Sequence, residues 1–547
     1  MKVTLLAINA KYVHSSLAVW FLAGGIAAHS KQCHEVDIAE ATINQDADDI
    51  IARISEARPD VIGISTYIWN AGKLPDLLNR LRKQLPHVTV VLGGPEASHN
   101  PAVWLDCGAD YVLCGEGERS LPALLDALAA HNTAALRDLS GLCFCSRGNI
   151  RLNPQTALPD EFINPYNDAY FEALGGRMAY IETSRGCPFR CAYCLSGGSG
   201  VRFFPLDTVK AQIDKLAKSG TQTIKFVDRT FNCHSERAFD LLAHIIGLRT
   251  DCCFHFEAAA DLFDKSTIAL LNTAAPGKIQ LEIGLQSFHQ PTLDAVSRKT
   301  DPCKTEENIR KLLSRQNIHL HIDLIAGLPY ETLAIFKDSF DRAYTLGAHT
   351  LQLGFLKLLH GSRLRAQAEA LGITYQKEPP YEITGSPWLG EAELATIKRA
   401  ENALQHTYNK GRFLSMLRYV LSVSGLRPFA LFQGLGEAVL NHATPLDAYA
   451  GQVYAYCAGL PNVDAAALRD CMICDLLETT KGKTMPDFLK SHGEKRRLAV
   501  TMAEKQLGHV IDHDEAAVLS SGEVVYVDSA IRHPVTGLYA LHRLPRL

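Results

Sequence analysis

The sequence predicts an α/β protein in three parts. An N-terminal doubly wound parallel sheet of Rossmann-like type comes first, then a central partial (β/α) barrel of TIM type, then a mainly helical region ending in short β-strands. Three observations predict this. Over residues 1–140, short apolar runs of strand length alternate with amphipathic helical stretches, the pattern of an open parallel sheet. The same alternation resumes over 176–370. From 371 to 547 the apolar period is helical until the last segment, which reads as strands again. A chain of 547 residues also exceeds one ordinary core and suits about three or four domains.

In the first part, strands are expected at 3–8, 35–38, 61–65, 88–92 and 111–113, and helices at 17–29, 47–57, 74–85 and 121–130. Such sheets hold ligands outside the carboxyl ends of their strands. The residues just past each strand are therefore the candidate contacts. They are Asn9 and His14; Ser65, Thr66, Tyr67, Trp69 and Asn70; Gly93, Gly94, Pro95 and Glu96; and Gly115 and Gly117. Paired glycines let a ligand approach the backbone, and the Ser–Thr hydroxyls can bond a buried base. Glycines that only form turns are the plain alternative, and His14 reads equally as a satisfied loop histidine.

Residues 141–175 read as a connector. Arg147-Gly148-Asn149 signals a hairpin turn, and Pro154, Pro159 and Pro165 exclude a long helix. Cys143 and Cys145 fall on one side of the expected strand and read as packing.

The run Cys187-Pro188-Phe189-Arg190-Cys191-Ala192-Tyr193-Cys194 then places three cysteines at C-x3-C-x2-C spacing after a strand-like stretch at 178–182. Three thiolates are one fewer than a [4Fe–4S] cluster usually takes from protein, which leaves one iron open. A structural zinc loop would want a fourth Cys or His at a second short spacing, and 186–200 offers none. The amino terminus enters a strand directly, without a signal-type segment, so a cytoplasmic protein is expected. There, fifteen cysteines favour metal ligands and buried thiols over disulfides.

This loop, with Tyr193 before its third cysteine, resembles the cluster loop of the radical S-adenosylmethionine superfamily. The Ser/Thr turn and Gly-Gly turn upstream resemble the cobalamin-binding domain of one large branch, and together the resemblance spans roughly two-thirds of the chain. It implies a [4Fe–4S] cluster on Cys187, Cys191 and Cys194, S-adenosyl-L-methionine on the open iron, and cobalamin on the N-terminal sheet. Asp228 and Arg229, after a strand at 223–227, resemble the start of the Asp-x-x-Phe-Asn turn that helps hold the S-adenosylmethionine amino group. Glu257, on a strand at 253–258, is a candidate ribose or substrate contact. Glu282 and Gln286 share one side of a period-two strand at 281–287 and could line the pocket, and Gly284, Gln286 and Ser287 resemble the start of the G-x-Q-S…R/K signature. Arg298 is the implied partner of the S-adenosylmethionine carboxylate, which a guanidinium can bind in bidentate fashion. Gly327 and Leu328, after the strand at 319–325, resemble the loop that meets the adenine, and a sixth strand is expected at 351–358. No D-x-H-x-x-G motif is present, so no histidine is expected beneath the cobalt, and Tyr67, Trp69 or Asn70 would lie there instead.

Residues 371–547 resemble a C-terminal domain of unknown function found in one subgroup. Cys457, Cys471 and Cys474 form C-x13-C-x2-C, but their helical setting reads as buried thiols rather than a second cluster. The implied activity is reductive cleavage of S-adenosylmethionine to a 5′-deoxyadenosyl radical and methylation of an unactivated carbon. Rearrangement or cyclisation without methyl transfer, methylthiolation of an RNA base, and a non-enzymatic sensor remain alternatives. The substrate is then a small molecule or RNA, and a flavodoxin or ferredoxin would donate the electron. The RNA reading wants another cluster, and Cys33, Cys107 and Cys114 lack compact pairing. Net charge is −4, so no global basic field draws nucleic acid or a membrane surface. Apolar runs such as 17–28 are too short to span a bilayer.

Overall fold

The computed structural model describes residues 1–156, 161–198, 200–439, 445–480 and 485–546; Pro159 of the expected connector lies outside them. Contacts divide the chain into two units. The first is Met1–Glu257 with Val296–Lys299 and Leu356–Thr384, and the second is Ala258–Ala295, Thr300–Phe355 and Gly385–Leu547.

In the first unit, β1 (Lys2–Asn9), β2 (Glu35–Thr42), β3 (Val61–Ser65), β4 (Thr89–Gly93) and β5 (Tyr111–Leu113) are all parallel, in the order β2–β1–β3–β4–β5. β1 beyond Lys2 and all of β3 are buried, as strands covered on both faces must be. Strand order reverses between β1 and β3, which opens a crevice at the carboxyl edge of the sheet. One side of the core joins Leu6, Ile51, Ile62, Leu78, Val90 and Val112. The helices Pro95–His99 and Pro101–Asp106, each opened by a proline in its first turn, fill the β4–β5 crossover that the sequence reads as a turn.

The hairpin expected within a connector is the edge of this sheet. β6 (Leu142–Ser146) pairs antiparallel with β5, and β7 (Asn149–Leu152) pairs with β6. Arg147 (φ 52°) and Gly148 (φ 79°) both take positive φ, as a type I′ turn requires. Cys143 is buried as expected, whereas Cys145 is exposed. β5 pairs only as far as Phe144, so Cys145 runs past the covered part of the sheet.

Further along the first unit come β8 (Ala179–Ile181), β9 (Ser184–Cys187), β10 (Gly200–Phe203), β11 (Thr223–Phe226) and β12 (Cys253–Ala258). β8, β11 and β12 pair in parallel, while β9 and β10 form a separate antiparallel hairpin.

The second unit holds β13 (Ile279–Gln286), β14 (His319–Ala326) and β15 (Thr350–Phe355), again parallel. β13 and β14 alternate strictly, with Leu281, Ile283, Leu320 and Ile322 buried and the intervening residues half-buried. The parallel strands of both units form open arrays, and no closed barrel exists among the described residues. Helices follow at Glu391–His406, Leu414–Ser424, Pro428–Ala438, Leu446–Ala458, Ala465–Thr479 and Gly493–Leu507. The tail is an antiparallel sheet of Ala516–Val518, Glu523–Arg532 and Tyr539–Arg546, packed on the last helix through Ala499, Ala503, Val518 and Val524. No described helix is long and apolar enough to cross a membrane.

Helices Leu17–His29 and Gly117–Ala129 touch where Gly25 meets the backbone of Glu118; a Cβ on Gly25 would lie 2.3 Å from that carbonyl oxygen. Backbone cannot yield as a side-chain tip can, so Gly25→Ala should cost about 1–3 kcal/mol. The expected outcome is a lower thermal midpoint by scanning fluorimetry, while Gly72→Ala, which has open space around it, leaves the midpoint in place.

Candidate active site

The cysteine loop hangs between β9 and β10. Cys187 closes β9 opposite Gly200. The loop folds back on itself: Gly198 N–H donates to the Phe189 carbonyl at 2.9 Å, and Cys194 N–H donates to that of Cys191 at 3.1 Å. Gly198, at φ 82°, provides the reversal. Cys187, Cys191 and Cys194 are free thiols, the first two buried and the third half-buried. Ser196 N–H donates to Cys194 Sγ at 3.4 Å, and Arg298 Nη1 lies 3.9 Å from Cys191 Sγ. The Arg298 guanidinium also sits over the Phe189 ring.

The donor set decides between a single ion and a cluster. Zinc bonded to sulfur at about 2.3 Å holds its ligands within about 4 Å of one another. Among the described residues, the single group of three Cys, His, Asp or Glu ligands within 4.8 Å is elsewhere, at Glu282, His321 and Asp323. The three Sγ atoms of the loop do not all lie within 4.8 Å of one another. Three thiols on one loop beside a guanidinium therefore fit a cluster with one open iron.

Asp228 does not face that space. Its carboxylate is 1% exposed and accepts from Thr183 N–H at 3.0 Å, Thr183 Oγ1 at 2.7 Å and Ser184 Oγ. It anchors the entry to β9, and burial pushes its carboxyl up. Thr230 of the same turn reaches Cys187 Sγ at 3.6 Å. Arg229 is exposed, and Glu257 is half-buried with Lys225 Nζ at 3.9 Å.

At the carboxyl edge of the sheet, most of the expected contacts are bonded internally. Asn9 donates to Glu40 at 2.7 Å, and His14 Nδ1 lies 2.6 Å from Tyr180 Oη. Burial, then Lys11 and Lys225, push His14 down. Thr66 Oγ1 donates to the Gly93 carbonyl at 2.7 Å and accepts from Ala97 N–H at 2.9 Å. Asn70 is fully buried, with its amide on the carbonyls of Ile8 and Ser65. Ser65 is itself buried. Gly94 stands at φ 100°, where a Cβ would meet the Thr66 carbonyl oxygen at 2.5 Å. Pro95 is exposed, while Glu96 is buried and accepts from Tyr381 Oη at 2.5 Å. Tyr67 and Trp69 differ: their rings stack at 4.2 Å and 7°, and Trp69 stays 44% exposed with its indole N–H on the Ile8 carbonyl.

The turn after β5 is occupied by ion pairs. Arg185 on β9 bonds Glu116 at 2.6 Å, Glu118 at 2.5 Å and Glu182 at 2.9 Å, and Arg202 on β10 bonds Glu116. Gly115 faces the Gln155 side chain, and Gly117 opens a helix against Leu22. These glycines shape a junction to the cysteine hairpin. Locally, only their position on either side of the loop marks Arg185 and Arg202 out from other arginines. Glu182, pushed up chiefly by burial and held down in part by Arg185, lies at about 7.

In the second unit, Ser287 is fully buried and donates to Glu331, tying the G-x-Q-S turn to the segment after Gly327 and Leu328. Leu328 is buried, and Gly327 stands at φ 94°. Gln286 takes φ 70° at the end of β13. Glu282 lies opposite His321 in register, and His321 Nε2 is 3.0 Å from Asp323 Oδ1. Cys457 contacts Met416 inside the helical region, and burial pushes both Cys457 and Cys474 up to about 12, which suits packing.

Residues 3–125 match the B12 binding domain family, and residues 181–343 match the radical SAM superfamily. The chain thus carries a B12 binding domain followed by a radical SAM domain. Residues 369–520 match a family described as a protein of unknown function, DUF4080. An uncharacterized methyltransferase of Pyrococcus horikoshii is 25% identical over 324 residues, covering 56% of this chain and 69% of its own. The cobalamin-dependent radical SAM methyltransferase TokK of Streptomyces tokunonensis is 23% identical over 389 residues, covering 66% of this chain and 56% of its own. This chain thus spans just over half of TokK. The structure of the cobalamin-dependent S-adenosylmethionine radical enzyme OxsB, with aqua-cobalamin and S-adenosylmethionine bound, superposes with a TM-score of 0.62 at 14% identity, over 93% of this chain and 81% of OxsB. That likeness establishes a shared fold.

Glu182 makes stability depend on pH. Its folded value lies above its unfolded one, so the folded state holds the proton more tightly, and stability falls as pH rises from about 4.5 through about 7. Glu182→Gln should flatten that decline and gain about 1–3 kcal/mol at pH 8. Thermal midpoints of both proteins across pH 5–8 measure it; parallel curves would contradict the assignment.

Proposed function

We propose that this chain is a cobalamin-dependent radical S-adenosylmethionine methyltransferase acting on an unactivated carbon of a small molecule. The observation that carries the reading is the joining of two elements within one unit. A three-cysteine loop with a guanidinium 3.9 Å from Cys191 Sγ is fastened by Arg185 to the carboxyl edge of a β2–β1–β3–β4–β5 sheet.

Cys187, Cys191 and Cys194 would hold the [4Fe–4S] cluster, and Arg298 would meet the S-adenosylmethionine carboxylate. The stacked Tyr67 and Trp69, with the bare backbone at Gly93 and Gly94, would meet cobalamin. When bound, these groups supply an electron, a 5′-deoxyadenosyl radical and a transferable methyl group. The protein's share is positioning and exclusion of water. Asp228 fixes where the loop begins, Gly198 folds it, and the N–H of Ser196 beside Cys194 Sγ tunes a thiolate by hydrogen bonding. In the second unit, Glu282 and Gln286 are proposed nucleoside or substrate contacts on the polar face of β13. A small flavodoxin or ferredoxin would supply the electron.

Anaerobically reconstituted protein should bind about four irons per chain. It should also form 5′-deoxyadenosine from S-adenosylmethionine. Cys187→Ala should lose both, and a variant that kept cluster and cleavage would sink the assignment. Methyl transfer is tested separately with methyl-deuterated S-adenosylmethionine: a product carrying the intact labelled methyl is expected, and an unlabelled product would overturn that step.

A further inference from the structure

The segment Leu356–Thr384 belongs to the first unit although it follows β15 in sequence. It is anchored firmly at its far end. Tyr381 donates to the buried Glu96, and the Arg365 guanidinium lies over the rings of Tyr375 and Tyr381 while donating to the Leu358 carbonyl. Its near end touches the cysteine loop. Leu364 N–H donates to the Ala192 carbonyl at 2.8 Å, and Ala192 N–H donates to the Val296 carbonyl at 2.8 Å. Ala192, between the second and third cysteines, is thus gripped from both sides.

Arg363 completes the grip. Its Nη2 donates to Ser297 Oγ at 2.6 Å and to the Arg190 carbonyl at 3.4 Å. Ser297 stands at φ 54°, a left-handed conformation that a residue with a Cβ adopts at a cost. It is also the residue directly before Arg298, whose Nη1 reaches Cys191 Sγ. A strained residue persists only when its surroundings hold it. Here the bond to Ser297 Oγ comes from an arginine on a segment pinned elsewhere.

We propose that Arg363 is a positioning residue for S-adenosylmethionine. By holding Ser297 in its left-handed conformation, it aims the Arg298 guanidinium at the side of the cysteine loop where the carboxylate would bind. This rests on the reading of Arg298 as the carboxylate partner. Arg363 itself need touch neither cluster nor substrate. Both bonds leave from one nitrogen, so a lysine ammonium, with three donors but a shorter reach and no planar guanidinium, can replace them only in part.

The test uses full-length, anaerobically reconstituted protein and its Arg363→Ala, Arg363→Lys and Ser297→Ala variants. Iron content is measured first. The release of 5′-deoxyadenosine is then followed against S-adenosylmethionine concentration, which separates KM from the maximal turnover rate. The change in the electron paramagnetic resonance signal of the reduced cluster is followed as S-adenosylmethionine is added. Arg363→Ala should keep its iron, raise KM roughly tenfold and shift the spectroscopic titration to match. Its maximal turnover should stay within about twofold of the wild type. Arg363→Lys should recover part of the loss, and Ser297→Ala should move KM in the same direction. Wild-type KM and titration in Arg363→Ala would overturn the proposal. If Arg363→Ala loses its iron, Ser297→Ala decides, and a wild-type KM there overturns it. Wild-type protein without cluster or cleavage would instead overturn the underlying reading, and this inference with it.

Discussion

Arg185 is the interaction on which the arrangement depends. It lies two residues before Cys187 with a side chain only 19% exposed, and it binds Glu116, Glu118 and Glu182. Two of those carboxylates come from the turn after β5, so one enclosed cation fixes the cysteine hairpin to the sheet edge. Removing Arg185 itself would strand all three carboxylates, and leaving enclosed charges unpaired in this way typically costs about 3–5 kcal/mol. Arg185 and Arg202 are also direct register partners across the hairpin. Like charges so placed repel, and the hairpin tolerates them because Glu116 binds both. Three carboxylates then face two guanidiniums, and burial pushes one of the three, Glu182, up to about 7.

The sheet strands were legible because a strand covered by helices on both faces must be a short, nearly unbroken apolar run, as at Val61–Ser65. The cysteine loop was legible because its ligands are close together in sequence, so spacing carries the geometry. The parts that were not legible share one cause: they join residues far apart in the chain. Tyr381 and Glu96 are 285 positions apart, Arg185 and Glu116 are 69, and Arg363 and Ser297 are 66. A glutamate beside a glycine after a strand looks the same whether it waits for a ligand or for an arginine. Glu116-Gly117-Glu118 is the instructive case, since two acids around a glycine demanded cations, and both arginines flank the cysteines. The hairpin at Leu142–Leu152 shows a subtler limit. Its turn chemistry was plain, but the strand it joins, Tyr111–Leu113, is too short to announce an antiparallel neighbour.

The turns at the sheet edge divide into supports and surfaces. Thr66, Asn70 and Glu96 have side chains suited to ligand contact, yet each is buried and bonded within the fold. That is what a rigid site needs, because a loop presents a ligand surface reproducibly only when its own polar groups are satisfied. The surface itself falls to residues the supports leave outside, chiefly Trp69, with Tyr12 and Val13 exposed after β1.

The chemistry of that surface follows from which atoms remain. His14 has its Nδ1 against Tyr180 Oη, and burial favours its neutral form. Asn70 is sealed beneath the turn. Trp69 turns its indole N–H back to the Ile8 carbonyl and, as an indole, carries no basic lone pair. One face of the ring is covered by Tyr67, and the residue as a whole stays partly exposed. The turn after β3 therefore presents a flat apolar plane in place of a nitrogen donor. A planar ligand resting on it would be held by contact area and not by a bond from below.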